Sequence, residues 1–458
     1  MKKGEIIKVK ISGINIRGKS FGYVDDEKVY VNINAAKDQI VEGIVSKTRK
    51  RKIELIKCEI VDYANRKNAI YTNKLKEQCG GCNYQYYTYD EQLELKDNMI
   101  KELLDNAISY EYIYDKPIEN VCKLNYRNKM EFSFGNEIKD GPMVLGLHKQ
   151  NSFHDIVRVY DNNLMGEEFN IIYKFSDDFF SKTNHTFYHK ITKIGYFRYL
   201  VLRKSEFNKQ VLVNIITTSQ IEKETENKML DEYTKKLLEL DLGEYKISGI
   251  LHTVNDKLSD SVDSEKETIL YGKRDITERI FDLDFNISPY SFFQTNSKTV
   301  SKLYGKVLDY LDNINENVVF DLFSGTGTIA QIISKKFNKV YAIEIVEEAV
   351  KKAKENAKLN NIENIEFIAG DVFEKLDMLN EKPNILVLDP PRMGVLTKTI
   401  DKLIKYNVET IVYVSCNPVT LLKDLKDFEN YGYRVKRAGI VDMFSFTNHV
   451  ETVCLLSK

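Results

Sequence analysis

The sequence predicts an α/β protein whose C-terminal part is a doubly wound, mostly parallel sheet, preceded by a small β-barrel and an α+β central region. From about residue 290, apolar runs of strand length alternate with segments of helical spacing. Residues 1–60 are instead short alternating runs broken by glycines. A chain of 458 residues is also too long for one ordinary core, so two or three domains are expected.

The barrel, residues 1–60, rests on EIIKVKISGI, RGKSFGYVDD, KVYVNI and QIVEGIVSKTRKRKIELIKCEI, where β-branched residues alternate with polar ones. Residues 61–285 hold one clear helix, EQLELKDNMIKELLDNAI (91–108), which is expected to pack with the C-terminal domain. The alternating segments KMEFSFG, MVLGLHK and KQVLVNIITT follow. Residues 286–458 open with a helix at 297–314. Then come VVFDLF, KVYAIEI, IEFIAGD, NILVLDPP and TIVYVSC as strands, separated by helices. RVKRAGIVDMF and HVETVCLLS close the sheet as an antiparallel pair.

Hydrophobic content of 43% and charged content of 29% exclude a disordered chain. The first residues, MKKGEIIKVK, lead into no apolar signal core, and no run is long enough to span a bilayer. Six cysteines form no disulfide framework, so reduced thiols and the cytoplasm are expected, with no membrane partner. The net charge of −1 hides a basic module: residues 1–57 carry 14 Lys and Arg against 7 acids, densest in KTRKRK (47–52). A polyanion such as RNA is one partner for it, and a solvated basic face accounts for it equally well.

The first strand of the C-terminal sheet ends in DLFSGTGT, whose Gly325 and Gly327 permit a tight turn and close ligand approach. Glu344 closes the next strand, placed to accept ribose hydroxyls, Asp371 the third, and Asp389 the fourth. With Asp321 this makes four acids at four successive strand tips. A dinucleotide dehydrogenase would want G-x-G-x-x-G, and Ala330 stands at the third glycine. An acidic rim repels pyrophosphate and suits a cationic sulfonium, which points to S-adenosylmethionine and methyl transfer.

The acceptor atom is indicated by two further features. Amino-directed enzymes often carry an aromatic residue after Asp-Pro-Pro, and here Arg392 follows. The thiol of VSCNP, Cys416, sits at the tip of the fifth strand, as a core thiol or as a nucleophile. Carbon 5 of a pyrimidine becomes nucleophilic when a thiolate adds to carbon 6, and a base must then remove the carbon-5 proton. Glu451, in NHVETV, is a candidate for that base, or a solvated carboxylate at a strand end.

YRNKMEFSFG (126–135), SFFQTN (291–296), DLFSGTGT, LDPPR, VSCNP and HVE together resemble the RNA uracil-5-methyltransferases, over nearly the whole chain. The resemblance implies a class I Rossmann-like catalytic domain with Cys416 as nucleophile and Glu451 as general base. It implies S-adenosylmethionine contacts from Gln294, Phe323, Thr328, Glu344, Asp371 and Asp389. Phe292 and Gln294 would lie near a flipped uracil. Arg127 and Lys129 would contact phosphate or base, or form structural ion pairs. The barrel looks like a TRAM domain, which implies an RNA partner, 23S rRNA ahead of tRNA, for a monomeric enzyme. A non-catalytic ribosome-assembly factor, cytosine-5 chemistry and a thiol oxidoreductase are the other uses weighed.

Cys79 and Cys82 form a C-x-x-C that alone reads as half a zinc site, half an iron–sulfur site or a dithiol. Many members of the resembled family hold a 4Fe–4S cluster with four cysteines. Here Asn73 and Asn162 stand at the other two positions. A remnant is therefore expected, with no metal.

Overall fold

The computed structural model describes residues 1–49, 52–66, 81–149, 152, 154–258, 266–312, 314, 318–379 and 381–458, without the side chains of 47–52. Strands β1 (Ile6–Ile14), β2 (Ser20–Val24), β3 (Glu27–Val31), β4 (Ile40–Arg49) and β5 (Lys52–Asp62) close into a barrel in the order β1-β2-β3-β5-β4. Asp25 and Asp26 link β2 to β3 with φ of 48° and 63°, the left-handed pair a two-residue hairpin turn needs. Alternation along the strands turns Val9, Ile11, Val29, Val31, Val41 and Leu55 inward. Tyr84, Tyr86 and Tyr87, from beyond the barrel, complete the same core. The basic cluster KTRKRK straddles the end of β4 and the start of β5, and its side chains lie outside the described residues.

Helix α1 (Tyr89–Ala107) starts at a capping box, in which Thr88 and Glu91 satisfy each other's backbone N–H. Its inner face, Ile100 and Leu104, with Ile108 just past its end, packs on the C-terminal sheet. The two-residue strand β6 (Ile113–Tyr114) then joins the edge of that sheet.

The central region is a seven-stranded mixed sheet. Its elements are β7 (Lys129–Asn136), β8 (Met143–His148), β9 (Ile156–Val157), α2 (Glu167–Phe180), β10 (Phe197–Lys204), β11 (Gln210–Thr217), α3 (Lys223–Leu237), β12 (Lys246–Val254) and β13 (Lys266–Gly272). The order is β13-β12-β11-β10-β7-β8-β9, and β11 and β12 pair in parallel across α3. Ile172, Tyr173, Phe180 and Tyr233 of the two helices cover Phe132, Leu200, Leu202 and Val213 of the sheet. The hairpin β14 (Ile276–Ile280) and β15 (Leu283–Ile287) packs with the C-terminal core.

The remaining elements are α4 (Ser297–Tyr310), β16 (Val318–Leu322), α5 (Thr328–Ser334), β17 (Lys339–Glu344), α6 (Glu347–Leu359), β18 (Ile365–Ala369), α7 (Val372–Lys375), β19 (Ile385–Leu388), α8 (Thr397–Leu403), β20 (Thr410–Ser415), α9 (Pro418–Glu429), β21 (Arg434–Val441) and β22 (Glu451–Ser457). They form an eight-stranded sheet in the order β18-β17-β16-β19-β20-β22-β21-β6. Strands β16 to β20 are parallel, and β22 runs antiparallel to both neighbours. The order reverses between β16 and β19, which opens a crevice at their carboxyl ends. No described helix is long and apolar enough to cross a membrane.

Candidate active site

A cavity of about 930 Å³ opens at that crevice. Its walls include Gln294, Phe323, Thr328, Glu344, Asp371, Asp389, Phe292, Arg127, Cys416 and Glu451, so the nominated catalytic, cofactor and substrate residues meet there except Lys129, as does every expected rim acid except Asp321.

The turn after β16 gives Phe323 a φ of 64° and Gly327 one of 72°. A Cβ on Gly327 would lie 2.6 Å from the Phe367 ring, so glycine is required by both backbone and space. The carboxylate of Glu344 is fixed by two backbone donors, Gly325 N at 3.0 Å and Val346 N at 2.9 Å. Asp371 lies two residues beyond β18 and caps α7, accepting from Phe373 N at 2.8 Å.

Asp321 departs from the expected rim of four acids. It lies within β16, fully buried, and is absent from the cavity wall. Strand β16 runs on through Leu322, which leaves Phe323 as the residue at the turn. Burial, with Asp389 and Glu344 nearby, holds the Asp321 carboxyl well above the usual carboxylate range. The rim's acids are therefore Glu344, Asp371 and Asp389.

The thiol end of the site is built by two loops tied together. Asn417 caps α9 through Val419 N, and Pro418 occupies its first turn, where a missing N–H costs nothing. Asn417 Nδ2 donates to the Arg392 carbonyl at 2.8 Å, and Thr420 Oγ1 donates to the same oxygen at 3.2 Å. This fixes SCNP against LDPPR. Strands β20 and β22 pair Ser415 with Thr452, which brings Cys416 beside Glu451 one register step on.

Burial pushes the Cys416 thiol up to about 11, aided by Glu451 and Asp389, while Arg392 pulls it down. Glu451, 3% exposed, is raised to about 8 by burial and then by Asp389. Burial raises Asp389 to about 7. The cavity thus crowds acidic groups into a low-dielectric space, and a cation placed among them would favour their ionised forms. That arrangement fits a sulfonium ligand and disfavours a phosphate.

Lys129 lies on β7 outside the wall, ion-paired with Glu131, and burial beside Arg203 pushes its ammonium down. Phe292 is 67% exposed at the mouth, whereas Gln294 is buried, its carbonyl accepting from Asn128 Nδ2 at 3.0 Å. Tyr304, Arg392 and His449 are among the wall residues not nominated from sequence. His449 stands in the HVE motif and is lowered to about 4 by burial, with Arg392 and Arg127 adding to the effect. Tyr304 lies on α4 and had no local signal beyond helical spacing.

Cys79 lies outside the described residues. Cys82 is buried in the central core. Asn162 is buried too, its Oδ1 accepting from Leu164 N at 3.0 Å in a turn. Among the described residues, no three metal-ligating side chains cluster.

Residues 88–458 match the profile of a family described as tRNA (Uracil-5-)-methyltransferase. The chain belongs to this family. An uncharacterised RNA methyltransferase of Clostridium acetobutylicum is 43% identical over 461 residues, covering 100% of this chain and 99% of the relative. Another, from Caldanaerobacter subterraneus, is 39% identical over 463 residues and covers both chains completely. Among solved structures, the Pyrococcus abyssi tRNA (uracil-54, C5)-methyltransferase, in complex with S-adenosyl-L-homocysteine, is similar with a TM-score of 0.74. It is 26% identical, and the match covers 98% of this chain and 99% of that one. This member of the uracil-5-methyltransferase family is an RNA methyltransferase using S-adenosylmethionine.

Proposed function

We propose that the protein methylates carbon 5 of a specific uridine in 23S rRNA through a covalent bond between Cys416 and carbon 6 of the base. The observation that carries this reading is the meeting of Cys416 and Glu451 in one cavity that Glu344, Asp371 and Asp389 also line, Asp389 close enough to act on both.

A uracil must leave its stack to reach this thiol, at a cost of roughly a few kcal/mol. Phe292, exposed at the mouth, offers a ring on which a base can stack. The Cys416 thiol loses its proton to solvent, and Sγ adds to carbon 6, shifting electron density onto carbon 5. S-adenosylmethionine, when bound, supplies the electrophilic methyl group that carbon 5 attacks. Glu451 then takes the carbon-5 proton as a carboxylate, the ring double bond re-forms, and the Cys416 sulfur leaves. Arg392 assists both side chains, since its charge lowers the thiol and the carboxyl alike.

The basic barrel, with its likeness to a TRAM module of the rRNA-directed branch, supports 23S rRNA. A second reading, tRNA, is favoured by the Pyrococcus abyssi tRNA enzyme, whose match spans 98% of this chain and so takes in the barrel as well. Mapping 5-methyluridine in both RNAs from cells lacking the protein tests this. Loss from 23S rRNA supports the first reading, and loss from tRNA alone supports the second. The protein would act in the cytoplasm as a monomer.

A further inference from the structure

Strand β22, which carries Glu451, is entered through residues 442–450, a segment with no helix or strand of its own. It also supplies Phe444 and His449 to the cavity wall. Its backbone groups are satisfied from distant parts of the chain. Phe446 N donates to Gln92 Oε1 at 2.6 Å, and Tyr126 OH donates to the Ser445 carbonyl at 3.0 Å. Asn296 Nδ2 donates to the Met443 carbonyl at 2.8 Å.

At the head of the segment lies a buried ion pair. Lys96 Nζ of α1 donates to Asp442 Oδ1 at 2.8 Å and to the Phe444 carbonyl at 3.0 Å, and both side chains are 1% exposed or less. Asp442 Oδ1 also accepts from Phe444 N at 3.2 Å. Asp442 follows Val441, the residue of β21 that pairs with Glu451. Lys96 and Gln92 are one helical turn apart, so one face of α1 grips the segment at two points.

A buried ion pair contributes little net stability over an apolar pair of the same volume. Ile100 and Leu104 already dock α1 by apolar packing. What the pair supplies is direction, because one ammonium fixes a side chain and a carbonyl two residues apart. A catalytic group must be held within about 0.5 Å of its productive place.

We propose that Lys96, paired with Asp442, is a positioning residue for Glu451: it fixes the turn beside the Val441–Glu451 pair and so holds the carboxylate against carbon 5 of the bound uracil. This rests on the reading of Glu451 as the base.

The test is the double substitution Lys96→Met/Asp442→Asn in the full-length protein, which removes both charges together and leaves an acceptor for Phe444 N. S-adenosylhomocysteine binding, read by calorimetry, checks that the fold and the cofactor end are intact. Single-turnover assays on uridine-containing RNA then follow formation and release of the covalent protein–RNA adduct. The expected result is formation within about threefold of wild type, with release slowed about 10- to 100-fold so that adduct accumulates. Release at the wild-type rate, or equal slowing of both steps, would overturn the proposal. If the double variant binds no S-adenosylhomocysteine, Lys96→Arg, which keeps the charge but displaces the contacts to Asp442 and the Phe444 carbonyl, is read by the same criteria. Glu451→Gln runs in parallel: if it too releases normally, the assignment of the base has failed, a result separable from failure of the Lys96 proposal.

Discussion

Cys416 and Glu451 sit side by side at the ends of the antiparallel strands β20 and β22, one step beyond the Ser415–Thr452 pair, and both line the same cavity. Their proximity makes the titration of the thiol depend on the carboxylate. With the thiol near 11, Cys416 is almost wholly protonated at pH 7 in the free protein. Its alkylation by iodoacetamide, followed by peptide mass spectrometry, should rise about tenfold per pH unit from 7 towards 10, as the thiolate fraction does. At pH 9, above the Glu451 value of about 8, the carboxylate is negative and opposes the thiolate. Glu451→Gln should therefore speed alkylation of Cys416 at pH 9, and unchanged or slower alkylation would deny the coupling.

The same substitution separates two steps of the reaction. Glutamine cannot accept the carbon-5 proton, so Glu451→Gln should still form the adduct on uridine RNA but slow its release about 100-fold or more. In the wild type, release should gain speed as pH rises towards 8, because the base is then increasingly ionised. Trapping the adduct on denaturing gels reads both effects.

Asp389 bears on the cofactor. A carboxylate attracts a sulfonium and a carboxylic acid does not. Calorimetric affinity for S-adenosylmethionine should thus increase from pH 6 to 8, through the Asp389 value of about 7. Asp389→Asn should abolish that rise and weaken binding about tenfold, the effect of losing roughly 1.4 kcal/mol. A persisting pH dependence would assign it to another group.

Much of this site was legible in the sequence, because strand tips and glycine turns are local features. DLFSGTGT, LDPPR and VSCNP each announce a strand end, and a parallel sheet brings such ends to one edge. Asp321 misled because an acid near the end of a strand reads like one at its tip, and one residue of difference sends it into the core. The edge strand β6 was invisible, since two residues carry no periodicity. The Lys96–Asp442 pair joins residues 346 apart in sequence, a distance over which no local pattern signals a contact. His449 was passed over within a motif that had been noticed, its role being set by the cavity and not by its neighbours in the chain.

Three of the barrel's described lysines are in ion pairs: Lys8, Lys10 and Lys19 pair with Glu42, Asp38 and Glu54. The basic residues of the barrel's sequence are densest in KTRKRK. Replacing Lys47, Arg49, Lys50, Arg51 and Lys52 with glutamine should weaken RNA binding and flatten the plot of log K against log salt. Each lost phosphate contact should lower the slope by about 0.7–0.9. Identical slopes for variant and wild type would remove the cluster from the RNA contact.

The covalent step is tested most directly with RNA substituted by 5-fluorouridine, in which fluorine replaces the proton that the base must remove. Wild-type protein with S-adenosylmethionine should form a stable, denaturation-resistant adduct at Cys416, identified by mass spectrometry of the cross-linked peptide. Cys416→Ala should form none and lose turnover while still binding S-adenosylhomocysteine. An adduct that survives this substitution, or turnover without the thiol, would contradict the account.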